Sequence, residues 1–276
     1  MPLEVQSLAE WEAAGVPGML SVVIPAHNEE GHIAQTVRAV HAALAGAGIE
    51  HEILVVNDNS SDRTEQILQD LRTEVPELRY VNNRPPNGFG FAVRCGLAEF
   101  RGDAVAIVMA DLSDDPQDLV KFYRTMVDGG YDCVFGSRFI KGGRVVDYPW
   151  FKLALNRLGN GLIQALFLLK FNDTTNAFKL YRRTVIAGVQ PLLAYHFNLT
   201  VELPLKAIVR GYSYAVVPNA WYNRKEGVSK FKIKEMGSRY LFIILYCWLE
   251  RRLSRHDYRK SQASRLKESQ LQVWHR

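Results

Sequence analysis

Asp111, Asp114 and Asp115 fall within five residues, in Asp111-Leu112-Ser113-Asp114-Asp115, directly after the apolar run AVAIVMA at 104–110. Like charges at the end of a buried segment are costly unless a cation offsets them. Carboxylates with a hydroxyl are hard oxygen donors suited to Mg²⁺ or Mn²⁺, ions that keep water and bridge substrate phosphates. The same residues suit a helix start, with Ser113 or Asp114 as cap, Pro116 near the first turn and the acids favoured by the helix dipole. Both readings hold together if Asp111 meets the metal and Asp115 serves the helix. Asp58 follows a second apolar run, EILVVN, and Ser60, Ser61 or Asp62 can cap the helix beyond it. Asp58 is therefore available for a ribose hydroxyl or a base N–H. Arg138, and Arg224, Lys225 and Lys230 in NRKEGVSK, are the residue types that hold phosphate, arginine by bidentate contact and lysine as a point charge. An exposed basic turn is the alternative reading of NRKEGVSK.

The elements that must position these groups alternate. SVVIPA (21–26), EILVVND (52–58), RYVNN (79–83), DAVAIVMAD (103–111) and YDCVFGS (131–137) each read as a buried parallel strand. Between them, Ile33, Val37, Val40 and Leu44, then Ile67, Leu68 and Leu71, then Leu119, Phe122, Tyr123 and Met126 recur at helical spacing. Such alternation predicts a doubly wound α/β sheet with its ligand crevice outside the carboxyl ends of the strands. There the chain carries Pro25-Ala26-His27-Asn28-Glu29, with Asn28 a candidate N-cap, and Asn87-Gly88-Phe89-Gly90. The latter lacks the third glycine of a dinucleotide fingerprint and reads equally as a turn and helix start.

The chain has 276 residues, 47% hydrophobic and 23% charged, which excludes disordered, collagenous and disulfide-stapled classes. Its net charge of +5 is unevenly placed, because residues 1–220 carry 20 basic and 24 acidic side chains whereas 221–276 carry 14 and 5. No nucleic-acid motif or aromatic-studded basic face accompanies that excess, so an anionic membrane surface fits it better than nucleic acid. Cys95, Cys133 and Cys247 are dispersed and suggest neither a zinc site nor disulfides, as expected of a reducing, cytosolic chain. No signal peptide is expected, and the longest apolar run, YLFIILYCWL at 240–249, is about half of the roughly 20 residues a spanning helix needs. Composition leaves the oligomeric state open.

VVIPAHNE, VVNDNSSDRT, NGFGFAVRCGL, ADLSDDP, GSRF, NDTTNAFKLYRR and NRKEGVSK, in that order over about residues 18–235, resemble glycosyltransferase family 2, and within it the polyprenyl-phosphate (dolichyl-phosphate) mannose synthase branch. The resemblance implies a nucleotide-diphospho-sugar transferase (GT-A-like) fold and an inverting transfer from a nucleotide diphosphate sugar, of GDP-mannose or UDP-glucose type, with a divalent metal. It implies that Pro25, His27, Glu29, Val56 and Asp58 line the nucleoside site, and that Ala110, Asp111 and Ser113 face the diphosphate and metal. Arg138, Arg224 and Lys230 would hold phosphate. Two positions depart from the family's pattern: Met109 stands where an Asp-x-Asp would begin, and Ala177 replaces a usual glycine. Ser113 or Asp114 could compensate for the missing acid.

A phosphate monoester is already largely dianionic at neutral pH, so such an acceptor needs aiming rather than a general base. A saccharide hydroxyl would need a carboxylate, for which Asp114, Asp115 or Glu202 are the candidates. Glu202 alternatively pairs with Lys206 at i+4 on a solvated face. A third reading, prompted by Met109, is a non-catalytic nucleotide-sugar binder at a membrane surface. Trp150 to Phe171 has near-helical leucines and few charges, and reads either as a bilayer-interface helix receiving a polyprenyl chain or as a core or dimer helix. The expected organisation is a catalytic domain over 1–235 and a membrane-interface helix with a basic tail over 236–276.

Overall fold

The computed structural model describes residues 18–223, 233–255 and 257–259. Five β-branched runs form parallel strands: β1 (Leu20–Ala26), β2 (His51–Asn57), β3 (Leu78–Asn82), β4 (Ala104–Ile107) and β5 (Cys133–Ser137). Four further strands follow, β6 (Arg144–Val146), β7 (Lys179–Arg182), β8 (Tyr214–Pro218) and β9 (Ala220–Tyr222). The main sheet has seven strands in the order β3-β2-β1-β4-β7-β5-β8, and β6 and β9 form a separate pair. β7 runs antiparallel between β4 and β5, so the sheet is mainly rather than wholly parallel. Its four residues, KLYR, are too few to show a period in sequence.

Helices cover both faces, as buried parallel strands require. One face carries α1 (Ile33–Gly46), α2 (Thr64–Leu71) and α4 (Pro116–Gly129), and Ile33, Val37, Val40 and Leu44 of α1 are essentially inaccessible. The other carries α3 (Phe89–Glu99), α5 (Trp150–Phe167), the short α6 (Arg183–Gly188), α7 (Leu199–Val209) and α8 (Ile233–Leu253). On α8, Ile243, Ile244 and Cys247 are buried in that second core, and burial pushes the Cys247 thiol well up.

Asp115 caps α4 by accepting the Gln117 N–H at 2.9 Å, and Pro116 occupies its first position. Asn28 caps nothing. It adopts φ +56°, and its side-chain oxygen accepts the Ser61 N–H at 2.7 Å, while α1 begins five residues later at Ile33. Glu202 does pair with Lys206, at 2.6 Å, but on a buried face: both side chains are fully inaccessible, and the carboxylate also accepts the Leu193 and Ala194 N–H groups. α7 packs on α8, and the pair holds the backbone at Leu193 and Ala194 rather than meeting solvent.

Candidate active site

The carboxyl ends of β1, β2 and β4 form one rim, because the three strands are parallel neighbours in near register. Backbone strain concentrates there: Asn28, Asn59 and Leu112 all have φ between +54° and +57°. Asparagine tolerates that region; leucine does not, and a residue held there marks a turn the surroundings over-determine. The Leu112 turn brings the Ser113 N–H to 3.1 Å from Asp111 Oδ1, and Tyr222 N–H then bonds the Ser113 carbonyl at 3.0 Å. Thr36 of α1 bonds the Ala110 carbonyl at 2.7 Å. Asp111 and Ser113 therefore sit on a loop fixed from both sides.

Asp114 is buried beside them and takes only a long bond, 3.3 Å, from the Met109 N–H. Burial, reinforced by the Asp111 charge, pushes its carboxyl up to about 7, against the opposing Met109 N–H. A folded-state value above the unfolded one means the native state holds its proton more tightly between about pH 4 and 7. Stability from this group is thus fully present below pH 4 and is lost as pH rises towards 7. In chelator-treated protein, Asp114→Asn should flatten that slope and gain a few kcal/mol relative to the parent at pH 8, read from urea unfolding at several pH values. An unchanged slope would remove Asp114 as its source.

At β2 the outcome differs from the sequence expectation. Asp58 is 5% exposed, and its carboxylate accepts Asn83 Nδ2 at 2.7 Å, Asn87 Nδ2 at 3.0 Å and the Gly88 N–H at 2.7 Å. It clamps the 83–88 loop, and a nucleoside must share a lone pair with that clamp. His27 Nδ1 donates to the Asp58 carbonyl at 2.7 Å, leaving the exposed ring at the rim beside the half-buried Pro25 and Glu29. Glu29 donates its N–H to Thr64 Oγ1 at 2.9 Å. Val56 is wholly inaccessible and packs in the core, so its side chain is not brought to the rim.

Gly88 and Gly90 have packing roles, as the turn reading of NGFGF predicts. Gly88 caps α3 with φ +131°, open only to glycine. A Cβ on Gly90 would lie 2.3 Å from the Tyr195 carbonyl carbon and 2.4 Å from His196 N. This close approach lets Phe89 stack on Phe197 (4.1 Å between centroids) and Phe91 on Tyr195 (5.0 Å). Gly90→Ala should cost about 1–3 kcal/mol, the usual range for an overpacked site, in unfolding free energy. A fully stable variant would show the loop free to yield.

Arg138 follows β5 but is only 8% exposed, held bidentately by Asp173, itself inaccessible, at 2.8 and 2.7 Å; Asp173 also accepts the Arg138 N–H. The structure thus places Arg138 beside the rim with its charge already met. Asp173 lies within NDTTNAFK, but nothing local to that string shows its partner, 35 residues away. Lys179 of β7 was likewise not evident: its ammonium is buried against the carbonyls of Thr174, Asn176 and Thr200, and burial lowers it to about 7. Arg224, Lys225 and Lys230 lie outside the described residues.

A mainly parallel sheet with helices on both faces, a carboxylate turn at the end of β4 and a second at the end of β2 define a nucleotide-binding α/β architecture. Residues 21–189 match the profile of Glycosyl transferase family 2, and the chain belongs to that family. It is 31% identical over 234 residues to a polyprenol monophosphomannose synthase of Mycolicibacterium smegmatis, covering 79% of this chain and 86% of that protein. It is also 31% identical over 219 residues to a dolichol-phosphate mannosyltransferase of Pyrococcus furiosus, covering 78% of this chain and 60% of the relative. Among solved structures, glucosyl-3-phosphoglycerate synthase of Mycobacterium tuberculosis, crystallised with Mn²⁺, UDP and glucosyl-3-phosphoglycerate, superposes with a TM-score of 0.62 at 19% identity, over 91% of this chain and 86% of that one.

Proposed function

We propose that this protein moves a hexose, mannose or glucose, from a nucleotide diphosphate sugar to a polyprenyl phosphate at the cytosolic face of a membrane. The observation that carries the acceptor is the pair of helices, α5 and α8, with uncovered apolar faces. α5 leaves Trp150 (81% exposed), Phe151, Leu155, Leu158 and Leu162 uncovered, and α8 leaves Leu241, Phe242, Leu245 and Leu249 uncovered at helical spacing. Such faces suit the plane of a bilayer interface, where a polyprenyl chain resides. No helix among the described residues is long and apolar enough to cross a membrane. The names of the two sequence relatives, one a polyprenol and one a dolichol phosphate mannosyl transferase, support the same acceptor class.

Asp111 and Ser113 carry hard oxygen donors on the fixed loop after β4, with the buried Asp114 carboxyl beside them. Mg²⁺ or Mn²⁺ held by Asp111 and Ser113 would offset charge on the departing diphosphate. His27, Pro25 and the Asp58 clamp bound the nucleoside end. The acceptor phosphate oxygen bonds to the anomeric carbon as the bond from that carbon to the diphosphate oxygen breaks, with inversion and release of nucleoside diphosphate. No proton needs removing from a phosphate dianion, so the residues' task is alignment and charge placement. A saccharide hydroxyl would need a base, and Glu202 cannot serve, being inaccessible and committed to Lys206 and two backbone N–H groups.

The test is transfer of labelled sugar from a panel of nucleotide sugars, with Mn²⁺, to polyprenyl phosphate in vesicles. Chloroform-soluble label is expected, and its absence with every donor would overturn the acceptor assignment. Leu158→Glu with Phe242→Glu should lower vesicle binding about tenfold or more, since burying either side chain is worth about 1.5–3 kcal/mol, while donor binding stays unchanged. Equal flotation of the variant and parent would place the membrane contact elsewhere.

A further inference from the structure

The C-terminal ends of α5, α7 and α8 enclose a cavity of about 280 Å³. It lies far from the rim: Arg210, at the end of α7, precedes Tyr214, where β8 enters the sheet at the edge opposite Asp58 and Asp111. Its lining includes the apolar Leu169 and Ile208, while Arg251, Ser254 and Arg259 supply polar groups. Arg210 and Glu250 also line it but neutralise each other, at 2.8 and 3.0 Å, and Arg210 further donates to the Gly188 and Gln190 carbonyls. Arg251 donates one N–H to the Phe167 carbonyl, leaving the rest of its fork. Among the described residues, the exposed guanidinium groups of Arg251 and Arg259 thus reach this cavity without a carboxylate partner.

We infer that this cavity binds the phosphodiester headgroup of an anionic phospholipid, as a second lipid site distinct from that of the acceptor. Guanidinium forks match phosphate oxygens, and the Ser254 hydroxyl adds a donor. A lipid rather than a free anion is indicated by the lip: Leu168, which lines the cavity, is 78% exposed, and Leu253 on the last turn of α8 is 71% exposed. These continue the uncovered apolar faces of α5 and α8, along which acyl chains would run. Three helix C-termini converge here, and their carbonyl ends repel an anion. Binding must then depend on the two arginines.

The inference rests on the membrane seating proposed above only for the source of the lipid. Titration of the whole protein with monomeric dihexanoyl phosphatidylglycerol, below its micelle concentration, should give saturable binding by calorimetry. Dihexanoyl phosphatidylcholine should bind at least about tenfold more weakly, a difference of about 1.4 kcal/mol. Arg259→Gln, which breaks no bond among the described residues, should lose a similar factor, and Arg251→Gln should do so as well if it stays folded. Arg259→Lys should recover part of the loss. Equal binding of inorganic phosphate, or an Arg259→Gln variant with parental affinity, would overturn the site. If the monomeric lipid binds but vesicles of phosphatidylcholine and phosphatidylglycerol do not retain the protein, the membrane seating fails while the cavity assignment stands.

Discussion

Replacing Asp111 by asparagine is expected to reduce sugar transfer about 10³-fold, the scale of several kcal/mol of charge stabilisation that a metal ion contributes at a leaving group. The substitution preserves shape and still lets the side chain accept the Ser113 N–H, now 3.1 Å from Oδ1, so the Leu112 turn should persist. Unfolding should therefore differ little from the parent. The loss should appear mainly in kcat, and excess Mn²⁺ should recover part of it if a weakened site is the cause. Met109 makes the variant especially informative, because the chain has no acid at that position to take over. Undiminished turnover in Asp111→Asn would remove Asp111 from the chemistry, and no turnover even in the parent protein would favour a non-catalytic sugar-nucleotide binder.

The largest expected effect on stability is at Asp173. Its carboxylate is inaccessible and takes three N–H groups of Arg138, so Asp173→Ala leaves a buried guanidinium without a counter-charge. Breaking a buried pair from one side costs about 3–5 kcal/mol, whereas removing both partners together often costs far less. Asp173→Ala should thus be strongly destabilised in urea unfolding, and Asp173→Ala with Arg138→Met should be the more stable protein of the two. A single variant within about 1 kcal/mol of the parent, the scale of an exposed pair, would show that water reaches the site. The pair also bears on acceptor binding, since a phosphate that engages Arg138 must share it with Asp173. Asp173→Asn, which weakens that competition while keeping an acceptor, should lower KM for the lipid phosphate and leave KM for the donor unchanged.

Much of the scaffold was legible in the residues. Continuous β-branched runs such as EILVV have only one economical home, a strand covered on both faces, and the leucine and valine spacing of α1 shows which side of the helix turns inward. Parallel strands then place every run's last residues on one rim, which is why Asp58, Asp111 and Ser113 emerge together. The antiparallel insertion of β7 was not legible, because its four residues match no period and its neighbours, β4 and β5, lie about 70 and 45 residues earlier.

What the sequence by itself determined, then, is the sheet, its rim and the kinds of chemical group found there. Only the tertiary structure decided how those groups are spent. Asp58 clamps the 83–88 loop, Arg138 is met by Asp173, and Glu202 pairs with Lys206 inside the protein instead of on its surface. Periodicity reports which face of an element is apolar, a property of neighbours a few positions apart. Whether a charged side chain finds a partner depends on segments tens of residues away, brought together by the closure of the whole core. The same is true of the apolar stripes on α5 and α8, whose composition is plain in sequence but whose exposure is settled only once the core has taken Ile163, Phe167, Ile243 and Cys247 and left the other side uncovered.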